Sequence, residues 1–192
     1  MSAGNGDPFR GILLARHGQT NDNRPPMRFQ GFTDTPLNDT GRAQAHELAE
    51  RVAGLAEPIQ ALWSSDLSRA RETAEIVGAR IGLSATLDPR LREASRGRWE
   101  GHTFDEIKES EPEAYAAWLR AGPDWRFPEG ESLQEQQDRV LACLRDVEAA
   151  GELPTLVVCH GGSIRVVLCS RDPRGLYAFP RFEIPNVALL PL

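Results

Sequence analysis

The sequence ILLARHGQT at residues 12–20 places a short apolar run directly before a polar loop. An apolar run of this length is typical of a strand that is buried in a parallel sheet. We therefore predict a strand over residues 12–15 that delivers Arg16 and His17 at its carboxyl end. Ligands of such sheets bind beyond the carboxyl ends of the strands, so this loop marks the expected functional edge.

The same order of strand, polar loop and helix recurs along the chain. Residues 61–64 predict a second strand and residues 155–159 a third, which ends in His160, Gly161 and Gly162. Apolar residues at three- and four-residue spacing predict helices over about 41–55, 70–81 and 133–150, and a further helix near 164–168. Residues 187–190 predict a last strand. Alternating strands and helices favour an α/β fold, a three-layer sandwich with a mainly parallel central sheet and helices on both faces.

Residues 83–130 interrupt this alternation. Helical segments near residues 104–108 and 113–120 are separated by Pro112, Pro123 and Pro128, which end or break helices. We expect one domain over residues 1–192 with an inserted, lid-like helical segment at about 97–130. Its aromatic residues either pack the segment onto the domain or contact the organic part of a ligand, and packing is the more common role.

Composition and charge exclude several classes of function. The 192 residues are 40% hydrophobic and 26% charged, as in folded globular proteins. A net charge of -6 without a basic block argues against a nucleic-acid partner. Residues 1–10 are polar and contain no apolar run, so we expect a frayed start, no membrane anchor and a cytoplasmic location. The odd number of cysteines predicts free thiols in a reducing compartment. The oligomeric state stays open, and a homodimer is one of the states that the sequence permits.

Several separated motifs resemble the histidine phosphatase superfamily, also called the phosphoglycerate mutase-like family. The first is Arg16-His17-Gly18-Gln19-Thr20, which is followed by Asn23. The others follow in the expected order: Arg28-Phe29-Gln30-Gly31, Pro36-Leu37-Asn38 with Gly41 and Gln44, Ser64-Ser65-Asp66-Leu67 with Arg69, Leu91-Arg92-Glu93 with Gly97, Trp99-Glu100-Gly101, Gly130-Glu131-Ser132, and His160-Gly161-Gly162. The resemblance implies a phosphoglycerate mutase-like fold and phosphoryl-transfer chemistry.

Elementary chemistry agrees with this resemblance at His17. A neutral imidazole is a competent nucleophile toward phosphorus and divides one difficult hydrolysis into two easier transfers. Arg16 and Arg69 supply planar donors that suit phosphate oxygens. By resemblance, His160 faces His17 across the phosphate as a second imidazole. The alternatives are a hydrogen-bonded histidine at a strand end and a surface arginine in an ion pair.

Glu93 is the candidate general acid. The leaving alcohol needs a proton, and a carboxyl group beside a dianionic phosphate should have a raised pKa. The need for neutral His17 together with protonated Glu93 predicts an optimum at mildly acidic to neutral pH. The alternative is that Glu93 is an ordinary solvated glutamate between Arg92 and Arg96.

The predicted phosphate pocket includes four further residues. By resemblance, Thr20, Asn23 and Gly31 line it, although such residues also build turns. Gly161 allows a phosphate to approach the backbone at a helix start. We expect no cofactor and no metal, because histidine pairs, paired cysteines and acidic clusters at ligand spacing are missing from the sequence. The motifs of nucleotide-binding loops are also missing.

The family resemblance leaves the reaction open. Mutases of this family carry an Arg-His-Tyr-Gly segment after the catalytic glutamate and a pair of consecutive arginines, whereas Glu93 is followed here by Ala94-Ser95-Arg96-Gly97 and no arginine pair occurs. We therefore expect a metal-independent phosphatase that hydrolyses small-molecule phosphomonoesters. A phosphoglycerate mutase-type transfer and a non-catalytic phosphate-binding scaffold are the alternatives.

Overall fold

The computed structural model describes residues 9–120 and 122–192, so the expected frayed start lies almost wholly outside the described residues. Five strands and six α-helices are found in this part of the chain. The strands are β1 (Ile12–Arg16), β2 (Ala61–Ser64), β3 (Ala85–Leu87), β4 (Thr155–Cys159) and β5 (Leu189–Pro191). The helices are α1 (Asp39–Ala53), α2 (Ser68–Ile81), α3 (Phe104–Ser110), α4 (Pro112–Leu119), α5 (Leu133–Ala150) and α6 (Gly161–Ser170).

The strands form one sheet in the order β3-β2-β4-β1-β5. The first four strands in that order run parallel, and β5 pairs antiparallel with β1. The register places Arg16 beside Cys159, so the residues that follow β1 and β4 leave the sheet side by side. This arrangement confirms the predicted α/β class and positions the functional edge.

Helices cover both faces of the sheet. On one face, α1 and α2 bury residues such as Leu48 and Val77 against β2 and β4. On the other, α5 and α6 bury residues such as Leu144 and Ile164 against β1 and β4. The long helix α5 begins where predicted, because the Ser132 hydroxyl accepts from the amide of Glu135 at 3.2 Å in a capping box. The three-layer prediction is therefore confirmed.

The segment between β3 and α5 forms a small aromatic core together with Phe29, which lies between β1 and α1. Phe29, Trp99, Ile107 and Phe127 are buried together, and Phe104, Tyr115, Trp118 and Trp125 pack around them. Packing is thus the main role of these aromatic side chains, as the sequence favoured. A lid function for residues 97–130 stays a prediction.

Four elements differ from the sequence-based expectations. Strand β3 was not predicted, because it is a three-residue edge strand whose side chains are mostly exposed and so shows no apolar run. The last strand begins at Leu189 rather than 187, since Val187 adopts a φ of 51° and belongs to the preceding loop. Helix α6 begins at Gly161, before its apolar stretch. A 3-10 segment at Gly175–Arg181 was also not predicted.

The cysteines agree with the prediction of free thiols: Cys143, Cys159 and Cys169 are all unpaired and buried. Burial raises the pKa of the Cys143 thiol to about 12, so that this side chain behaves as an apolar core residue. In the described ranges, no helix combines the length and the hydropathy that crossing a membrane requires.

Candidate active site

The two predicted histidines meet at the carboxyl edge of the sheet. His17 follows β1 and His160 follows β4, and the backbone amide of His17 donates to the carbonyl of Cys159 at 3.1 Å. The ring centroids lie 5.1 Å apart with an angle of 61° between the ring planes. Both side chains are almost fully buried. The parallel pairing of their strands is what brings them together.

One hydrogen bond fixes which nitrogen of His17 is available. Nδ1 lies 2.7 Å from the carbonyl oxygen of Gly18, so this nitrogen carries the proton and donates. The lone pair then resides on Nε2. Burial, followed by the neighbouring His160, Arg69 and Arg16, lowers the pKa of His17 well below 6.5. His17 is therefore neutral and nucleophilic at ordinary pH.

His160 is held by a serine from the neighbouring strand end. Its Nε2 lies 2.9 Å from the hydroxyl of Ser65, which follows β2. Its Nδ1 is buried without a hydrogen-bond partner in the described part of the chain. Burial first, and then four surrounding arginines, lower the pKa of His160 well below 6.5. A neutral ring with one unpaired nitrogen can face a phosphoryl group.

Arg16 and Arg69 lie beside the histidines, as a phosphate clamp requires; Arg16 is half-buried and Arg69 is buried. Arg16 donates from Nη1 to the carbonyl of Ile184. Arg69 is fully buried and donates from Nη1 and Nη2 to the carbonyls of Thr33 and Gly31, each at 2.8 Å. Burial lowers the pKa of Arg69 to about 10, partly offset by Glu93, and the group stays cationic at neutral pH. Arg16, for which a surface ion pair was the alternative, instead bonds a backbone carbonyl.

Glu93 lies in the same site and comes from the loop that follows β3. Its Oε1 accepts from the amide of Ala94 at 2.9 Å and from the side chain of Gln136 at 2.8 Å. Its Oε2 accepts from the amide of Gly162 at 2.8 Å, at the start of α6. The Arg96 guanidinium lies 3.8 Å from Oε1. The carboxylate is thus held in place by three hydrogen-bond donors and one ion pair, and its side chain is only 15% exposed.

The groups around Glu93 determine its protonation in the protein alone. Burial raises its pKa, but Arg96, the amides of Ala94 and Gly162 and the Gln136 side chain outweigh burial and lower it to about 2. The protein by itself therefore keeps Glu93 ionised. The expected rise in pKa applies to Glu93 beside a phosphate dianion and stays a prediction for the complex with substrate.

A cavity of about 160 Å³ joins these groups. His17, Arg16, Arg69, Glu93 and His160 all line it. Four buried nitrogens of cavity-lining residues have no hydrogen-bond partner within residues 9–120 and 122–192: Arg16 Nε, Asn23 Nδ2, Arg69 Nε and His160 Nδ1. Unpaired buried donors are costly and call for an explanation. A tetrahedral oxyanion in the cavity would satisfy them.

The four predicted binding residues occupy different positions. Asn23 and Gly31 line the cavity. Gly31 has a φ of 51°, and a Cβ there would lie 2.2 Å from Glu100 Oε1, so glycine is required where its carbonyl receives Arg69. Thr20 lies behind the cavity, where its hydroxyl accepts from Gln30 at 2.6 Å. Gly161 lies beside the Arg16 guanidinium. A Cβ added at Gly161 would be 3.4 Å from Nε of Arg16. Contacts of these residues with substrate stay predictions.

Sequence reasoning missed Ser65, Gln136 and Arg96 as parts of the site. Each left a signal in the sequence. Ser65 directly follows a buried strand, as both histidines do. Gln136 is a polar residue on the apolar stripe of α5, four positions before Val140, and it is fully buried. Arg96 follows Glu93 by three residues, but the sequence analysis named it only as a neighbour of Glu93 within the segment that lacks the mutase pattern. No group of three or more potential metal ligands occurs in the described ranges.

Comparisons with known proteins agree with the geometry. Residues 12–192 match the histidine phosphatase superfamily (branch 1). Among curated relatives, the probable phosphoglycerate mutase GpmB of Escherichia coli O1:K1 is 40% identical over 182 residues, which cover 93% of this chain and 82% of the relative. The corresponding protein of Cronobacter sakazakii is 34% identical with the same coverage.

A solved structure that this chain resembles is a mycobacterial glucosyl-3-phosphoglycerate phosphatase in complex with VO3. It superimposes with a TM-score of 0.83 at 32% identity, covering 94% of this chain and 90% of that one. The α-ribazole phosphatase of Shigella flexneri gives a TM-score of 0.80 at 25% identity, with 93% and 87% covered.

Proposed function

This chain belongs to branch 1 of the histidine phosphatase superfamily, and we propose that it hydrolyses small-molecule phosphomonoesters, without metal, through a phosphohistidine intermediate on His17. One observation carries the proposal. Unpaired buried donors of Arg16, Asn23, Arg69 and His160 surround a small cavity in which the nucleophilic nitrogen of a neutral His17 is available.

The first step transfers the phosphoryl group to the enzyme. Nε2 of His17 attacks phosphorus, the N–P bond forms, and the P–O bond to the leaving alcohol breaks. Arg16 and Arg69 stabilise the charge on the equatorial oxygens. The leaving oxygen takes a proton from Glu93, whose proton affinity rises once a phosphate dianion lies beside it. Glu93 is ionised before substrate binds, so the phosphomonoester brings this proton into the site. The second pKa of a phosphomonoester is about 6.

The second step returns the enzyme to its starting state. Glu93, now a carboxylate, accepts a proton from water, and the water oxygen attacks phosphorus. The N–P bond breaks, His17 recovers its neutral imidazole, and inorganic phosphate leaves. The hydrogen bond from Nδ1 to the Gly18 carbonyl keeps the same nitrogen facing phosphorus in both steps.

Hydrolysis is favoured over isomerisation by the groups around Glu93. The segment that follows it lacks the mutase pattern, and Arg96 is the only residue of Ala94-Ser95-Arg96-Gly97 that lines the cavity. The similar solved structures are phosphatases acting on glucosyl-3-phosphoglycerate and α-ribazole phosphate esters by their names. The name of the curated relatives favours the mutase as the second candidate.

Phosphate release from a generic aryl phosphate in excess chelator tests the proposal. We expect turnover by the unaltered protein, loss of at least about a thousandfold in His17→Ala, and no loss in His46→Ala, which removes an exposed histidine of α1. The same preparation is then offered 3-phosphoglycerate with its bisphosphate primer. Dominant isomer formation would replace the phosphatase by the mutase. Absence of phosphate release and of isomer formation would favour a phosphate-binding scaffold.

A further inference from the structure

A second cavity adjoins the catalytic one. It has a volume of about 450 Å³, within the range of small-molecule sites, whereas the catalytic cavity holds little more than a phosphoryl group. Arg96 and Trp118 line both cavities and so form their common boundary. The aromatic lining of the second cavity comes from two parts of the fold: Trp118, Trp125 and Phe127 of the insertion, and Tyr177 and Phe179 of the 3-10 segment.

Exposed apolar side chains are concentrated at these cavities. Five large hydrophobic residues are exposed among the described residues, and Met27, Leu119 and Tyr177 belong to the two cavities. Leu119 is 65% exposed and Tyr177 73% exposed at the rim of the second cavity. An apolar rim around a site of this volume is typical of a small-molecule binding site.

The charged side chains that line the second cavity, within the described residues, are Arg96 and Arg165. Each stacks on an aromatic ring: the Arg96 guanidinium carbon lies 4.5 Å from the Phe127 centroid, and that of Arg165 lies 5.3 Å from the Phe179 centroid. Arg165 Nε is buried and unpartnered, and no described carboxylate lies within ion-pair distance of Arg165. Stacking holds a guanidinium by its face and leaves its N–H edge for an anion.

The acidic residues of the insertion do not oppose this charge. Asp124, Glu129 and Glu131 carry negative charge that would repel a second anionic group if they faced the site. None of them lines either cavity. Asp124 and Glu129 are exposed, and Glu131 is bound by Arg139 at 2.7 and 2.8 Å. Among the described residues, the charge that lines the second cavity is therefore that of the two arginines.

We propose that the second cavity binds the leaving group of the substrate, and that this leaving group combines an apolar, planar portion with a carboxylate held by Arg165. This inference rests on the proposed phosphatase function and names its substrate class. The planar portion stacks within the aromatic lining, and the carboxylate receives the N–H edge of Arg165. Because the contact is remote from phosphorus, it strengthens ground-state and transition-state binding equally and lowers KM more than it changes kcat.

Two matched esters test the proposal: 4-carboxyphenyl phosphate and 4-carbamoylphenyl phosphate, which differ in the charge but scarcely in the shape of the leaving group. We expect kcat/KM of the unaltered protein to favour the carboxylate ester by tenfold or more, mainly through KM. Arg165→Met should reduce this preference at least tenfold. Arg181→Met is the control. Arg181 lies at the end of the 3-10 segment Gly175–Arg181 but lines neither cavity, so this variant should retain the preference.

A second variant does not depend on a buried side chain. Leu119→Glu places a negative charge at the exposed rim and should reduce the preference at least threefold, whereas Leu87→Glu, on edge strand β3, should retain it. Equal kcat/KM for both esters with the unaltered protein would overturn the inference but leave the phosphatase proposal standing. A preference that persists in both Arg165→Met and Leu119→Glu would also overturn it. Hydrolysis of neither ester would overturn both proposals.

Discussion

Gln136 donates a hydrogen bond of 2.8 Å from its side-chain nitrogen to Oε1 of Glu93. The two residues come from distant parts of the chain, since Gln136 lies on α5 and Glu93 in the loop after β3. The amide is fully buried and its own oxygen has no partner among the described residues. Gln136 therefore favours the ionised carboxylate over the protonated one.

Gln136→Leu should raise the pKa of Glu93 in the enzyme–substrate complex by about one unit, because it removes a hydrogen bond to the charged form. The alkaline limb of kcat, which reports the complex, should move upward, and kcat should fall by less than about tenfold. The alkaline limb of kcat/KM should not move. Gln134→Leu, on the same helix, is the control, since Gln134 bonds Asp138 instead. Unchanged pH limbs for kcat in Gln136→Leu would exclude this role.

Gly162→Ala should displace Glu93 without removing any functional group. An added Cβ would lie 2.0 Å from Oε1 of Glu93, which is too close for any side chain to remain in place. We expect kcat to fall on the order of a hundredfold, the contribution of a general acid. Gly54→Ala is the matched control, because its Cβ would lie 3.4 Å from the Glu50 carbonyl oxygen and 3.7 Å from that of Arg51. Turnover of Gly162→Ala at the unaltered rate would contradict a catalytic role for Glu93.

The pH dependence of kcat/KM should follow the substrate rather than His17. The lowered pKa of His17 keeps its imidazole neutral on both sides of pH 6.5, and Glu93 with a pKa of about 2 carries no proton into the complex. The reactive proton therefore belongs to the phosphomonoester, so kcat/KM for an aryl phosphate should decline above about pH 6. A tenfold rise per pH unit between pH 5 and 7 would contradict this account, because it would mean that His17 must first lose a proton.

The buried histidines should make the free energy of unfolding depend on pH. Below the unfolded pKa of about 6.5, the unfolded chain binds a proton on His160 that the folded protein, with its lowered pKa, does not bind. Stability contributed by His160 is therefore present above pH 6.5 and is lost as the pH falls below it. When the pH falls from 7.5 to 5.5, the free energy of unfolding should decrease by about 1 kcal/mol less in His160→Gln than in the unaltered protein. Urea unfolding at both pH values measures it, with exposed His46→Gln as control.

Much of the site could be predicted because its residues follow strands. His17 and His160 stand directly after apolar runs, and parallel pairing of β1 with β4 brings such positions together. Arg16 could be predicted from its position directly before His17. Ser65 obeys the same rule after β2, but a serine carries no chemical signal by itself, and its contact with His160 requires knowing that β2 neighbours β4.

The remaining features depend on contacts between distant segments. Burial raises the pKa of Glu93, and the nearby Arg96 and Ala94 lower it, but the further lowering by Gly162 and Gln136 comes from residues 69 and 43 positions away. The second cavity forms only where the insertion meets the 3-10 segment at Gly175–Arg181. Periodicity and motif spacing describe single elements, so neither could place Arg165 beside Arg96 or show that the insertion's acidic residues point elsewhere.

Rapid quenching of the enzyme with 32P-labelled aryl phosphate, followed by peptide mapping under alkaline conditions that preserve phosphohistidine, tests the central claim most directly. We expect an acid-labile label on the peptide that contains His17, formed in a burst before steady-state phosphate release and absent from His17→Ala. Label on any other side chain, or turnover that ceases in chelator and returns only with a divalent metal, would contradict the mechanism.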